Sequence, residues 1–401
     1  MVSSQSRGTT RLYALDVARA LAVFGMIIVN VGPYTTEGIA SWIIRALNGR
    51  ASILFVVLAG IGVTFLARRA LNKGITRRST LMWRGLLLLG LGLVLQLLNH
   101  DVNVILPTYA ALFFLAAFVV RMPMRWLFWT AMASTFLGPV VWILVRQLTD
   151  FHIDPAELGD SPWAIAAAIL VSGPYPLVVW IAPFFLGVWL GRQPLGNPRI
   201  QRRLLGGGAA AGAGAWLLSQ VLVRVFGHPD QTQVGWDRMV SAFGHSQMPL
   251  WLISASGTAA FTIGLLLIVV PRMGRGIKAL VAVGQMPLTA YTAHLIIIAF
   301  IVRPAPETPA QGLLISVAMM GGLVLFATVW IANLRYGPLE MLLRKPPSFL
   351  QVSYRPPERH RRRRYERPHP RHPRRSATEL PSGTALQKDP AQGTEPAAEP
   401  F

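Results

Sequence analysis

The sequence predicts an all-α protein: a polytopic membrane helix bundle of about ten transmembrane helices, with nine to eleven the defensible range, and a disordered basic C-terminal tail. Three observations predict it. Of 401 residues, 53% are hydrophobic and only 14% charged, with a mean hydropathy of +0.45, whereas a soluble chain carries charge on about a quarter of its residues. Long apolar runs recur from Leu12 to Asn333. Beyond Pro356 the composition shifts to Pro, Arg, Glu, Gly and Ala, too poor in apolar side chains to bury a core. The domain division is therefore a multi-span body over 1–345 and a tail over 346–401.

A helix needs about 20 apolar residues to cross the hydrocarbon. On that measure the spans fall at 12–33, 50–68, 82–99, 104–121, 125–146, 163–191, 204–226, 249–270, 279–302 and 311–334. The first contains Asp16 and Arg19, is too long for a signal-peptide core and lacks a clear cleavage site, so it reads as a retained span. In the second, Gly60 and Gly62 predict close helix contact. The sixth is interrupted by "SGPYP" at 172–176 and divides into two short helices if the break holds. The seventh carries "GGGAAAGAGA" at 206–215, a small-residue packing face. After Asn333, "LRYGPLEMLLRKPP" reads as a basic amphipathic segment lying along the membrane surface.

The connections alternate in charge. Those at 67–78, 121–125, 191–203 and 271–278 are basic, while 151–160 is acidic and 303–311 is balanced. The positive-inside rule puts the basic set, and with it both termini, in the cytoplasm of a multi-pass protein of the cell membrane. The net charge of +21 is uneven: ten arginines stand between Arg355 and Arg375 against Glu358 and Glu366, so about +8 comes from this one run. Such a run next to a bilayer predicts attraction to anionic lipid headgroups; no nucleic-acid partner is expected. The absence of cysteine excludes disulfides, thiolate metal sites and a cysteine nucleophile. No P-loop, HExxH, GxSxG or metal-ligand spacing is present.

Ionisable groups within spans are costly, about 2.5–3.5 kcal/mol each on insertion scales, and point to function. Asp16 and Arg19 can pair on one helix face. Asn30 falls on the same stripe, 14 residues and therefore about 21 Å further along. Arg50 opens the second span. His100 and Asp101 sit in a short loop, followed by Tyr109 inside the fourth span. The long polar connection 226–251 holds His228, Asp230, Trp236, Asp237 and, at the membrane rim, His245. Tyr291 and His294 share a helix face in the ninth span. A structural role, as ion pairs and interhelical hydrogen bonds, is open for each.

The segments "LDVARALAVFGMIIVN", "NGRASILFVVLAGIG", "ILPTYAALFFLA", "VGQMPLTAYTAHLI" and "RYGPLEMLLR" occur in that order. In this combination the chain resembles the YeiB-like (DUF418) branch of the transmembrane acyltransferase superfamily, which also holds the heparan-α-glucosaminide N-acetyltransferases. The likeness runs over about residues 11–345. It implies transfer of an acyl group, acetyl in the characterised relative, from a cytosolic acyl-CoA donor such as acetyl-CoA to an envelope glycan or lipid acceptor on the other side. The family's histidine near the far end of the first two spans has no counterpart in "VGPYTTEGIASWIIRALNGR". The expected roles are Asp16 and Arg19 at the donor's thioester or phosphates, and His245 or His294 as general base. Asn30 and Tyr109 would be oxyanion donors, with Arg50 either another such donor or a cationic contact to the acyl-CoA. The alternatives are a transporter or flippase of a small molecule or lipid, and a non-catalytic scaffold.

Overall fold

The protein is described by a computed structural model that covers residues 12–33, 38–72, 77–98, 101–149, 152–230 and 233–344. The expected tail, together with His100, lies outside the described residues. No strand occurs among the described residues, and the helices follow the apolar runs. They are α1 (Tyr13–Val31), α2 (Gly38–Leu47), α3 (Arg50–Asn72), α4 (Arg77–Gln96), α5 (Leu106–Val119), α6 (Met124–Thr149) and α7 (Pro162–Ala167). Then come α8 (Leu177–Leu190), α9 (Pro198–Phe226), α10 (Pro249–Val269), α11 (Lys278–Gln285), α12 (Pro287–Ile297), α13 (Pro309–Asn333) and α14 (Pro338–Leu342). Many starts are dictated locally. Proline stands in the first turn of α7, α9, α10, α12 and α13, where its missing N–H costs nothing. Asn197 and Thr308 cap α9 and α13, the latter in a capping box with Gln311.

Among the described residues seven helices are long and apolar enough to cross a membrane, and nine spans result if each of two bent pairs counts as one. The fourth expected span, 104–121, corresponds to α5, a 14-residue helix shorter than a full crossing. Both bent pairs carry a π-helical turn. Residues Ala168–Ser172 continue α7, which meets α8 at 65°; Ile298–Val302 continue α12, which meets α11 at 84°. The first break was expected from "SGPYP". The second, at Met286, falls inside the expected span 279–302.

Helices α1 and α3 form the centre, with 72% of each apolar window buried, whereas α9 shows only 17%. Leu217, Val221 and Val225 of α9 stay exposed, as a lipid-facing helix requires. Glycines set the closest approaches. A Cβ on Gly60 of α3 would stand 2.4 Å from the Phe184 carbonyl oxygen, and one on Gly187 of α8 would stand 2.2 Å from that of Val57. Gly62 instead leaves room for the Arg19 guanidinium, 3.9 Å from the would-be Cβ. A Cβ on Gly284 of α11 would fall 1.7 Å from the Asp16 carbonyl oxygen, which ties α11 to α1.

The segment after Asn333 departs from the expected surface helix. Only α14 is helical there, and Glu340 turns back onto the break between α11 and α12. Its carboxylate accepts from the Leu288 and Thr289 N–H groups (2.7 and 3.1 Å) and from the Thr289 hydroxyl (2.6 Å). A helix N-terminus leaves N–H groups unsatisfied and favours negative charge, so a glutamate there outweighs the pull of the basic neighbours toward the surface. Trp83 and Trp330 fasten the same segment through indole N–H bonds to the carbonyls of Leu342 and Tyr336.

Gly187→Ala is expected to lower stability by about 1–3 kcal/mol, since the obstacle is backbone and not a flexible side chain. Gly214→Ala meets nothing within 4 Å and should be neutral or slightly stabilising. Thermal unfolding of the two variants in non-ionic detergent separates these outcomes.

Candidate functional site

A cavity of about 670 Å³ opens at the Asn30 end of the bundle. Its walls come from residues 26–33, from the α2–α3 turn at 47–49, and from 101–105, 153, 173–175, 238–247 and 303–305, with contributions from Ala51, Ser52, Trp142 and Tyr291. None of the basic connections at 67–78, 121–125, 191–203 and 271–278 contributes. Both π-helical turns run directly into the wall, one delivering Gly173–Tyr175 and the other Arg303. Turns of this kind recur at functional sites, where they redirect a helix end.

His294 stands one helical turn beyond Tyr291 on α12 and is 1% exposed. Its Nε2 lies 3.1 Å from the Asn30 Nδ2, and its ring meets Tyr291 edge-on at 5.0 Å. With the amide in this orientation Asn30 donates, so Nε2 is the unprotonated nitrogen. The Asn30 carbonyl accepts from Arg303 Nη2 at 3.3 Å, and the Tyr291 hydroxyl accepts from the Ile105 N–H at 3.3 Å. Three segments distant in sequence, at 30, 105 and 291–303, meet in this network. Asn30 and Tyr291 line the cavity, and His294 touches it through Asn30.

His245 lines the cavity directly. Its backbone is left-handed, with φ of 59°, as is that of Gln247 at 65°, a conformation that costs a non-glycine residue energy and concentrates at functional sites. The loop is held in place by its neighbours. Gly49, at φ of 75°, has no room for a Cβ, which would fall 2.7 Å from Trp251 and 3.2 Å from the His245 nitrogen. Gln247 accepts from Trp180 Nε1 at 2.9 Å and donates to the Pro174 carbonyl at 3.1 Å. The imidazole stands among Tyr175, Trp180 and Trp251, with ring centroids 5.7, 6.1 and 5.7 Å away. Burial in this setting pushes its pKa down to about 4, against an ordinary 6.5. The ring is neutral at pH 7.

The remaining expected residues lie elsewhere. Asp16 and Arg19 form an ion pair of 2.7 Å near the opposite end of α1. Neither lines the cavity. Arg50 donates to the Ala46 carbonyl and the Ser254 hydroxyl (3.1 and 3.4 Å), joining α2, α3 and α10. Tyr109 is buried away from the cavity, with Phe55 stacked between it and Tyr291 at 5.3 and 6.2 Å. Its hydroxyl has no hydrogen-bond partner among the described residues. His228 and Trp236 are exposed, and Asp237 accepts from the Asp230 N–H. Asp101 does reach the cavity, paired with Arg303. Arg238, Arg303, Gln247 and Tyr175 were not singled out from the sequence. Only Arg303 carried a signal, as an arginine closing an apolar run. No group of three His, Asp or Glu fit to hold a metal occurs among the described residues.

Residues 190–346 match the model of a family described as a protein of unknown function, DUF418. The matched stretch contains His245, His294, Arg303 and Glu340. No curated protein matches the chain.

The His245 environment carries a sign for pH dependence. Between pH 6.5 and about 4 the unfolded chain takes up a proton at this position and the folded imidazole does not. Stability therefore falls as the pH drops through that window and is unaffected by this group above it. The expected loss is on the order of a few kcal/mol. His245→Gln should flatten the difference between pH 7 and pH 4.5 in a thermal-unfolding series; an unchanged slope would remove the buried neutral imidazole from the account.

Proposed function

We propose that this protein is a membrane-embedded acyltransferase whose acceptor binds in the cavity at the Asn30 end. The observation that carries the reading is the meeting of His245, Asn30 with His294, and Tyr291 around one hollow. Under the positive-inside orientation this end faces away from the cytoplasm, since its walls come from the weakly charged connections. An acceptor held there reacts on the extracytoplasmic side.

In the proposed reaction an acceptor hydroxyl or amine attacks the carbonyl of an acyl thioester. The new O–C or N–C bond forms, the C–S bond breaks, and the thiol leaves with a proton. His245 is the assigned base because it lines the cavity and is unprotonated at neutral pH. A base with pKa about 4 takes the proton only as the attacking atom becomes acidic in the transition state, so transfer is concerted with attack. The Asn30 side-chain amide, held by His294, is the assigned oxyanion donor, and Arg303 bonds the backbone carbonyl of the same residue. By the sequence resemblance the donor is an acyl-CoA. No cavity residue is assigned to it, and Asp16 and Arg19 stand outside the cavity.

Transport of a small molecule or lipid is the second reading, and one observation favours it: the break at Gly173–Tyr175 in a discontinuous helix pair lines the cavity, as broken helices do in many transporters. Purified protein in liposomes with labelled acetyl-CoA and an envelope extract distinguishes the two. Acyl transfer predicts a covalently labelled acceptor. His245→Ala should lower the rate about 10²-fold or more, and Asn30→Ala about 10²–10³-fold. Label that crosses the membrane without becoming covalently attached supports transport instead.

A further inference from the structure

We infer that the cavity recognises a phosphate-bearing ligand through Arg303 and Arg238, with Asp101 as a built-in counter-ion that the ligand's phosphate displaces. The charged residues on the cavity wall are Arg238, Arg303 and Asp101. Asp237 and Asp230 stand beside Arg238 without lining the cavity, which leaves the two guanidinium groups as its cationic wall groups.

The Arg303–Asp101 pair is lopsided. Arg303 Nε stands 3.1 Å from Asp101 Oδ2, yet the arginine side chain is 13% exposed and the aspartate 74%. Separating them returns the carboxylate to water at little cost, whereas the guanidinium is left partly desolvated and needs another anion. The arginine is positioned by the fold: it follows the π-helical turn Ile298–Val302 and donates Nη2 to the Asn30 carbonyl. The aspartate hangs from the short α4–α5 connection in a left-handed conformation, φ 52°. Arg238 enters from the opposite loop on the 3₁₀ turn Trp236–Val240, with Nε donating to the Asp230 carbonyl at 3.0 Å. Guanidinium groups suit phosphate oxygens because their N–H donors lie in a planar fork. The amide side chains of Asn48 and Asn103 supply partners for hydroxyls, and Met26, Val29 and Leu47 supply an apolar wall. A glycerophosphate-type headgroup has both features. A water-soluble phosphate ester shares the charged part.

This deepens the acyl-acceptor reading by naming the acceptor's class and rests on it for the word acceptor alone. Binding is therefore measured without any acyl donor. Full-length protein in dodecyl maltoside micelles, which carry no phosphate, is titrated calorimetrically with dihexanoylphosphatidylglycerol, glycerol 3-phosphate and the neutral control dihexanoylglycerol. Phosphate recognition predicts that the two phosphate esters bind and that the control binds at least about tenfold more weakly. Arg303→Gln and Arg238→Gln should each weaken the esters about tenfold or more, and Asp101→Asn should tighten them several-fold. Asp101 is exposed, so its variant decides the matter even if an arginine variant fails to fold. A tighter phosphatidylglycerol than glycerol 3-phosphate identifies a lipid headgroup; equal affinities identify a soluble ester, and both uphold the inference. Binding of the control as tight as the esters, absence of ester binding, or weaker binding in Asp101→Asn overturns it. Ester binding without acyl transfer would sink the enzyme reading and leave this one intact.

Discussion

The hydrogen bond between Asn30 and His294 is the constraint around which the rest is arranged. An imidazole and an amide in the middle of apolar helices lose their water, and an unpaired polar group there costs several kcal/mol. The Asn30 amide and the His294 Nε2 satisfy each other at 3.1 Å. Their pairing brings the end of α1 against α12, and the Asn30 carbonyl then receives Arg303. Tyr291, against the same imidazole, accepts from the backbone that begins α5. One polar contact therefore sets the meeting point of α1, α5, α12 and the connection to α13, and that meeting point forms one side of the cavity.

The opposite side of the cavity is built by different means. Here a loop with two left-handed non-glycine residues, His245 and Gln247, is kept in shape by tryptophans and by the glycine turn at Gly49. The strain is tolerated because Trp180, Trp251 and Tyr175 surround the ring and because both ends of Gln247 are bonded. A rigid, neutral imidazole facing a polar hollow is a demanding arrangement to maintain for packing alone. At the far end of the bundle the demands are simpler. Asp16 and Arg19 neutralise each other, Gly284 lets α11 touch α1, and Glu340 caps the break at Pro287. These contacts brace the two central helices that carry the cavity groups.

Much of the fold was legible in the residues. The apolar runs marked the helices because hydrocarbon selects for length and hydrophobicity, and proline and capping residues marked many of their starts. The charge alternation of the connections separated the loops that build the cavity from those that do not. Less legible was the site. His245, Asn30 and His294 were chosen for being costly in hydrocarbon, and that criterion also selected Asp16, Arg19, Arg50 and Tyr109, which pair or pack elsewhere. Arg238 and Gln247 sat in a polar loop, where polarity carries no signal.

By itself the sequence determined an all-helical membrane bundle, its approximate spans, and a short roster of buried polar groups, because local hydropathy and turn chemistry act over a few residues. Only the tertiary structure decided which of those groups share a hollow. That choice depends on contacts between residues far apart in sequence: Asn30 with His294, Asp101 with Arg303, Tyr175 with His245. It depends also on two helix breaks whose angles follow from packing and not from composition.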